Sequence, residues 1–182
     1  MDMDYKALFE DINPDFFERE NIRSIPETHI FAELVLDLRT EKPLASPNPY
    51  PAGIRFGVYQ GDIGKLREAV GQVNAGWVPL FKENDRAFCA FDGEKIAAFC
   101  SLLDWGRHLG LHISGPGCVG TVPQYRERGI GMEMIRRATN VLIEEGYDLS
   151  WIHYTHIRHW YEKLGYKTVL MWNSRGLLPN IE

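Results

Sequence analysis

Residues 122–131 read Val-Pro-Gln-Tyr-Arg-Glu-Arg-Gly-Ile-Gly, an extended stretch running into a turn with two glycines. The residues that follow carry a helical pattern. Ile130, Met134, Ile135, Ala138, Val141 and Leu142 fall on one stripe, and Gly146 stops it. A strand, a glycine turn and an amphipathic helix in immediate succession commit this part of the chain to an α/β arrangement. They also give the turn a task that depends on backbone. Gly129 and Gly131 have no Cβ, so a ligand can approach the main chain closely and positive φ costs nothing. A helix that starts there points unpaired N–H groups, and the positive end of its dipole, at whatever lies in front. With Arg126 and Arg128 beside those donors, the combination suits a pyrophosphate. No Lys-Ser/Thr follows, which argues against an ATP-type loop.

The rest of the chain supplies a sheet for this helix. Residues 54–59 alternate and read as a strand, and Asp62 can cap a helix over 63–73 with Leu66, Ala69, Val70 and Val73 on one face. Residues 86–91 and 95–103 read as strands joined at Asp92-Gly93, a strong hairpin signal. Residues 112–122 form one extended stretch, loosened by Gly115, Pro116 and Gly117. A strand over 149–154, a short helix over 156–164 ending at Gly165, and a last strand over 166–172 complete the pattern. Upstream, Pro43, Pro47, Pro49 and Pro51 make residues 42–53 a proline-rich connector. Residues 30–38 read equally well as a short helix or a strand. The expected organisation is an N-terminal extension, 1–52, packed on a mixed α/β (α+β) domain, 53–182.

Composition narrows the function classes. A chain of 182 residues holds one domain with a sizeable core, and 45% hydrophobic with 25% charged residues is ordinary for a soluble protein. A net charge of -5 with scattered Lys and Arg gives no expectation of nucleic acid as partner. No apolar run approaches the ~20 residues needed to span a bilayer. The start, Met1-Asp2-Met3-Asp4, lacks the features of a signal peptide. Cys89, Cys100 and Cys118 are an odd number without ligand spacing, so a reduced, cytoplasmic protein is expected.

Arg126-x-x-Gly129-x-Gly131 resembles the Arg/Gln-x-x-Gly-x-Gly/Ala signature of the GCN5-related N-acetyltransferases, and Pro123 and Tyr125 stand where that family often has them. Downstream, Tyr161-Glu162-Lys163-Leu164-Gly165-Tyr166 is similar to the family's Tyr-Glu-Lys-Leu-Gly-Phe stretch, and the element order over residues 54–173 fits as well. The resemblance implies a central mixed, mostly antiparallel sheet flanked by helices. It implies an acyltransferase that moves an acetyl group from acetyl-CoA, a co-substrate, to a primary amine by direct attack. Backbone of Val119, Gly120 and Thr121 would bind the pantetheine arm and acetyl carbonyl. Backbone of Arg126, Glu127, Arg128, Gly129, Ile130, Gly131 and Met132 would hold the pyrophosphate. Tyr161 would protonate the departing thiolate. Two departures stand out. Tyr154 occupies the position, seven residues before Tyr161, where the family often has a CoA-binding Asn, which points to Thr155 as the replacement contact. Only nine residues follow Asn173, so the family's seventh strand is expected to be short, missing or replaced, with the N-terminal extension as the candidate substitute.

The amine must also lose a proton. His112 is the best candidate base, with Asp104 and His108 as others. His153, His156 and His159, spaced by three, and His108 and His112, spaced by four, raise a zinc enzyme as a rival, but no His-Glu-x-x-His motif accompanies them and no metal is expected. A second rival is a CoA-binding sensor without catalysis. Cys118 reads as a small hydrophobe, since direct attack needs no enzyme nucleophile. Acceptor choice would lie with residues 71–81, which include Trp77 and Phe81, and with a loop over 104–109. A small amine, an amino acid and a peptide N-terminus fit equally. Many members of the family dimerise, which makes a homodimer the partner to look for.

Overall fold

The computed structural model describes residues 3–179, so the first two residues of the acidic start lie outside the described residues. The chain opens with α1 (Tyr5–Ile12), capped by Asp4, whose carboxylate accepts the Ala7 N–H at 3.0 Å. A 3-10 turn at Phe16–Glu18 and the short α2 (Glu20–Arg23) lead into β1 (Phe31–Asp37). The ambiguous run at 30–38 is therefore a strand. After the connector come β2 (Ile54–Val58), α3 (Ile63–Gly71) and a 3-10 turn at Ala75–Leu80. Asp62 caps α3 as expected, accepting the Gly64 N–H at 2.5 Å. Then follow β3 (Ala87–Asp92), β4 (Lys95–Ser101), β5 (Asp104–His108), β6 (Leu111–Ser114) and β7 (Gly117–Thr121). The chain continues with α4 (Ile130–Glu144), β8 (Leu149–Thr155), α5 (Arg158–Glu162), β9 (Lys167–Asn173) and β10 (Gly176–Leu177).

The strands form two sheets, ordered β2-β3-β4-β7 and β10-β9-β1-β8-β6-β5. Every pairing is antiparallel except that of β6 with β8. This is the mixed, mostly antiparallel architecture flanked by helices that the sequence implied.

The extended stretch at 112–122 does not act as one strand. Its first half pairs with β8 up to Ser114↔Ser150, and its second half pairs with β4 from Gly117↔Ser101. Between them lie Gly115 and Pro116. A Cβ on Gly115 would overlap the Trp151 carbonyl and stand 2.9 Å from the Trp151 nitrogen, so only glycine lets the two backbones come that close. Pro116 has no N–H with which to continue the ladder. Beyond this point β7 and β8 belong to different sheets, and their facing edges are unpaired.

Residues 104–109 are not a loop. β5 forms a hairpin with β6 through Leu109-Gly110, both with positive φ of 47° and 86°. His108 and His112 therefore stand on adjacent strands of a hairpin, not on one helix face.

The N-terminal segment is built into the second sheet. β1 lies between β8 and β9, with Val35 opposite Trp151 on one side and Lys167 on the other. Among the described residues, the two of β10 follow β9 at the outer edge of the sheet. Ala32, Leu34 and Leu36 of β1 face the larger core, which they share with α3, α4 and Tyr161. Val35 faces a second core made with Leu8, Phe9, Phe16, Ile22, Trp151 and Trp172. Among the described residues, no helix is long and apolar enough to cross a membrane.

Candidate active site

β7 delivers the chain to the glycine turn. Pro123 opens a 3-10 turn at Pro123–Tyr125, and the Tyr125 hydroxyl donates to Asp92 at 3.0 Å, tying the turn to the β3–β4 hairpin. Arg126 folds back and donates through Nε to the Thr121 carbonyl at 3.1 Å. Glu127 and Gly129 both take left-handed backbone, with φ of 61° and 71°. α4 starts at once, and its first intrahelical bond runs from the Glu133 N–H to the Gly129 carbonyl. The N–H groups of Ile130, Gly131 and Met132 are thus left without helical partners, and no side chain caps them. In front of them is a cleft of about 480 Å³, lined by residues 126–132 together with Thr121, Trp160, Asn48 and Pro49. Left-handed turns before a helix start form concave N–H cradles for anions.

The two glycines have a more specific reason than ligand approach. A Cβ on Gly129 would overlap the Pro49 carbonyl and stand 3.1 Å from that of Asn48. A Cβ on Gly131 would lie 2.6 Å from the Thr121 hydroxyl oxygen. The proline-rich connector therefore packs directly on the turn. It is anchored by the Leu44 N–H, which donates to the Leu164 carbonyl at 2.8 Å, and by Tyr50, whose hydroxyl accepts from Arg137 at 3.1 Å.

Val119, Gly120 and Thr121 lie where β7 borders the opening between the sheets. One edge of β7 is bonded to β4, with Phe99↔Gly120 and Ala98↔Thr121; the other faces the opening. Tyr161 on α5 is buried edge-on between Trp160 (4.8 Å) and Tyr166 (6.2 Å). Burial pushes its phenol well above the usual range, and the Cys100, Tyr166 and Cys118 side chains push the same way. Tyr161 shares its buried core with Cys100 of β4 and Cys118 of β7. It stays protonated through the physiological range, and its hydroxyl has no hydrogen-bond partner among the described residues. Cys118 itself has a positive φ of 45°, and burial raises its thiol, which disfavours the nucleophilic thiolate.

The structure does not gather every expected residue. The Thr155 hydroxyl accepts the Ile157 N–H at 3.2 Å and so fixes the turn between β8 and α5. His112 lies at the closed end of the opening, just before the β6–β8 pairing. Its ring stacks on Tyr147 at 4.0 Å and its Nε2 meets Asp104 at 3.0 Å; no contact joins it to Tyr161. His108 bridges to Asp11 of α1. Phe81 is a core residue, packed on Phe99 at 5.7 Å. His153 is on β8, His156 in the following turn and His159 on α5, and among the described residues no group of three His, Cys, Asp or Glu side chains converges as a metal site.

Sequence reasoning missed Asn48 and Pro49 as cleft residues, and it missed Glu33. The latter is a fully buried carboxylate on β1 that accepts from the Trp151 and Trp172 indoles at 2.6 and 2.7 Å, from the Tyr154 N–H at 3.1 Å, and from His153. Its partners are 118 to 139 residues away, and no local pattern announces such a network.

Residues 83–168 match the Acetyltransferase (GNAT) domain family. No curated protein matches the chain. Among solved structures, the fold is similar to a GCN5-related glucosamine N-acetyltransferase region of a fungal multi-domain GH3 beta-N-acetylglucosaminidase, at 20% identity and a TM-score of 0.63 over 80% of this chain and 20% of that one. It is also similar to a GCN5-related N-acetyltransferase from Kribbella flavida, at 20% identity and 0.56 over 87% and 62%, and to one from Sphaerobacter thermophilus, at 16% and 0.56 over 81% and 50%. The chain spans less than two thirds of the length of each. Residues 83–168 form a GNAT acetyltransferase domain, and the chain around it shares the fold of GCN5-related N-acetyltransferases.

Proposed function

We propose that this chain transfers the acetyl group of acetyl-CoA to a primary amine by direct attack. The observation that carries the reading is the cleft in front of α4, where three unpartnered helix N–H groups and the left-handed turn at Glu127 and Gly129 meet the unpaired edge of β7. A pyrophosphate fits the cradle, and an extended amide-bearing arm fits the strand edge, whose free N–H and C=O groups need partners. Acetyl-CoA supplies an activated acyl carbon. The protein has to hold it beside the amine, keep water away and manage protons. Residues 126–132 bind, β7 orients, and Tyr161 holds a proton at its hydroxyl for the leaving sulfur. A phenol kept neutral by burial is a donor at every working pH.

Calorimetric titration with acetyl-CoA and CoA, followed by thiol-release assays with small amines, amino acids and peptides, tests the reading. Micromolar acetyl-CoA binding with turnover of one amine class supports it. Binding without turnover across the whole panel favours a CoA sensor, and no binding removes both.

A further inference from the structure

The carboxylate of Glu33 has no part in binding at the glycine turn, yet the chain distorts two strand pairings around it. The β1–β8 register shifts between Ala32 and Leu34, and the β1–β9 register shifts between Glu33 and Leu34. Opposite, Tyr154 takes a positive φ of 59°, a costly conformation for an aromatic residue. The resulting bulge turns His153 and Tyr154 to the same face of the sheet. Both rings lie beside Phe16, at 5.4 and 6.3 Å, whereas Ile152 points to the opposite core. Within the bulge, His153 Nδ1 stands 2.9 and 3.0 Å from the two Glu33 oxygens. With its Nδ1–H donated to the Glu33 oxygens, which also accept from two indoles and a backbone N–H, the ring has Nε2 as the nitrogen that carries the lone pair. Nε2 has no partner among the described residues, and the side chain is 26% exposed.

The position of this pair along β8 gives it a use. β8 is paired to β6 only at Leu149 and Ser150, so His153 lies on the stretch that borders the opening opposite β7. Ile152 and Tyr161 belong to the core on one face, while His153 lies among Phe9, Phe16 and Trp105 on the other. A thioester held in the opening, with its sulfur toward Tyr161, leaves its other side to an amine arriving from the face of His153.

We propose that His153 is the base that removes the amine's proton, with Glu33 as the residue that positions it. The proposal rests on the acetyl-transfer reading above. An ammonium R–NH3+ gives one proton to His153 Nε2, which passes it to solvent. The amine nitrogen then bonds to the acyl carbon and the C–S bond breaks. The thiolate takes the Tyr161 proton, the second proton from nitrogen restores that phenol, and the third hydrogen stays on the amide. The imidazolium formed midway is stabilised by the Glu33 carboxylate. Around the ring, α1 contributes Phe9, the 3-10 turn Phe16, β5 Trp105 and β8 Tyr154. Beyond Trp105, whose carbonyl meets His108 Nε2 at 2.9 Å, lies the contact of His108 with Asp11.

The test is the pH dependence of kcat/KM with an amine that the wild type acetylates. His153→Asn keeps a donor near the Nδ1 position for Glu33 but removes Nε2. We expect it to melt like the wild type, keep its acetyl-CoA affinity, lose about 100-fold or more in kcat and lose the acidic limb of the profile. His153→Gln serves if the first variant does not fold. Glu33→Gln should move the limb to lower pH, because the imidazolium loses its anionic partner; a purely structural Glu33 would lower stability and leave the limb in place. A folded His153 variant that keeps the limb and stays within about threefold of wild type overturns the assignment while acetyl transfer stands. A wild type that binds acetyl-CoA and acetylates nothing overturns both.

Discussion

Gly129→Ala separates two explanations of the glycine turn. If the missing Cβ only makes room for a ligand, the substitution harms binding and leaves the empty protein unaffected. The structure gives a different expectation. At φ 71°, a left-handed non-glycine residue costs about 1–2 kcal/mol. The new methyl would also overlap the Pro49 carbonyl, a backbone atom that cannot rotate away, and overpacking of this kind costs about 1–3 kcal/mol. Together these come to about 2–5 kcal/mol, or a fall in Tm of about 4–20 °C for a chain of this length. Urea unfolding without ligand should show the loss as a lower midpoint at constant slope. Pro49→Gly, which lets the connector yield, should recover part of it, giving a coupling of at least about 0.5 kcal/mol in a double-mutant cycle. A stability loss below about 0.5 kcal/mol accompanied by lost acetyl-CoA affinity would refute the packing explanation.

Tyr161→Phe should lower kcat by about 100-fold or more with little change in acetyl-CoA affinity or melting temperature, since the hydroxyl has no protein partner to lose; a weakened affinity measured by calorimetry would make Tyr161 a packing residue. Gly115→Ala should cost more than about 3 kcal/mol or prevent folding, because the β6 and β8 backbones cannot separate there without opening the core; a normal thermal melt would contradict the close approach. Glu133 of α4 is buried, which pushes its carboxyl up, but hydrogen bonds from Arg136 and Arg137 outweigh burial and hold it below the usual range. A lowered folded-state pKa adds stability above the ordinary carboxylate pKa, and that stability is lost as pH falls through the folded value. Glu133→Gln should therefore be less stable at neutral pH by about 1–3 kcal/mol and converge on wild type in acid; urea midpoints that run parallel down to about pH 3 would exclude this.

The elements that were legible in the sequence are those whose stabilising partners are nearby in the chain. α4 announced itself through its apolar stripe, and the β3–β4 hairpin through Asp92-Gly93, whose glycine takes φ 59°. The β5–β6 hairpin was not legible, because its turn places Leu109 in a left-handed conformation that no turn statistic favours. The break at Gly115-Pro116 was visible as a loosening, but which sheet each half would join depends on β8 and β4, far away in sequence. Of the candidate site, the turn and Tyr161 followed from motifs. Thr155 was chosen for standing beside the departed Asn position and His112 for its chemistry alone, and both turned out to be engaged elsewhere. Asn48, Pro49 and the Glu33 network depend wholly on tertiary placement.

The insertion of β1 between β8 and β9 also sets a limit on how the protein can be made. Both of its partner strands are synthesised more than a hundred residues after it, so contacts of very long range must close before the second sheet is whole, a topology that slows folding. Residues 83–168, the stretch that matches the family, end inside β9 and contain nothing to fill the place of β1. Excised, they would present β8 with a bare apolar edge, an invitation to pair with another chain. A piece that keeps the second sheet whole begins no later than Phe31, well upstream of the residues that match the family.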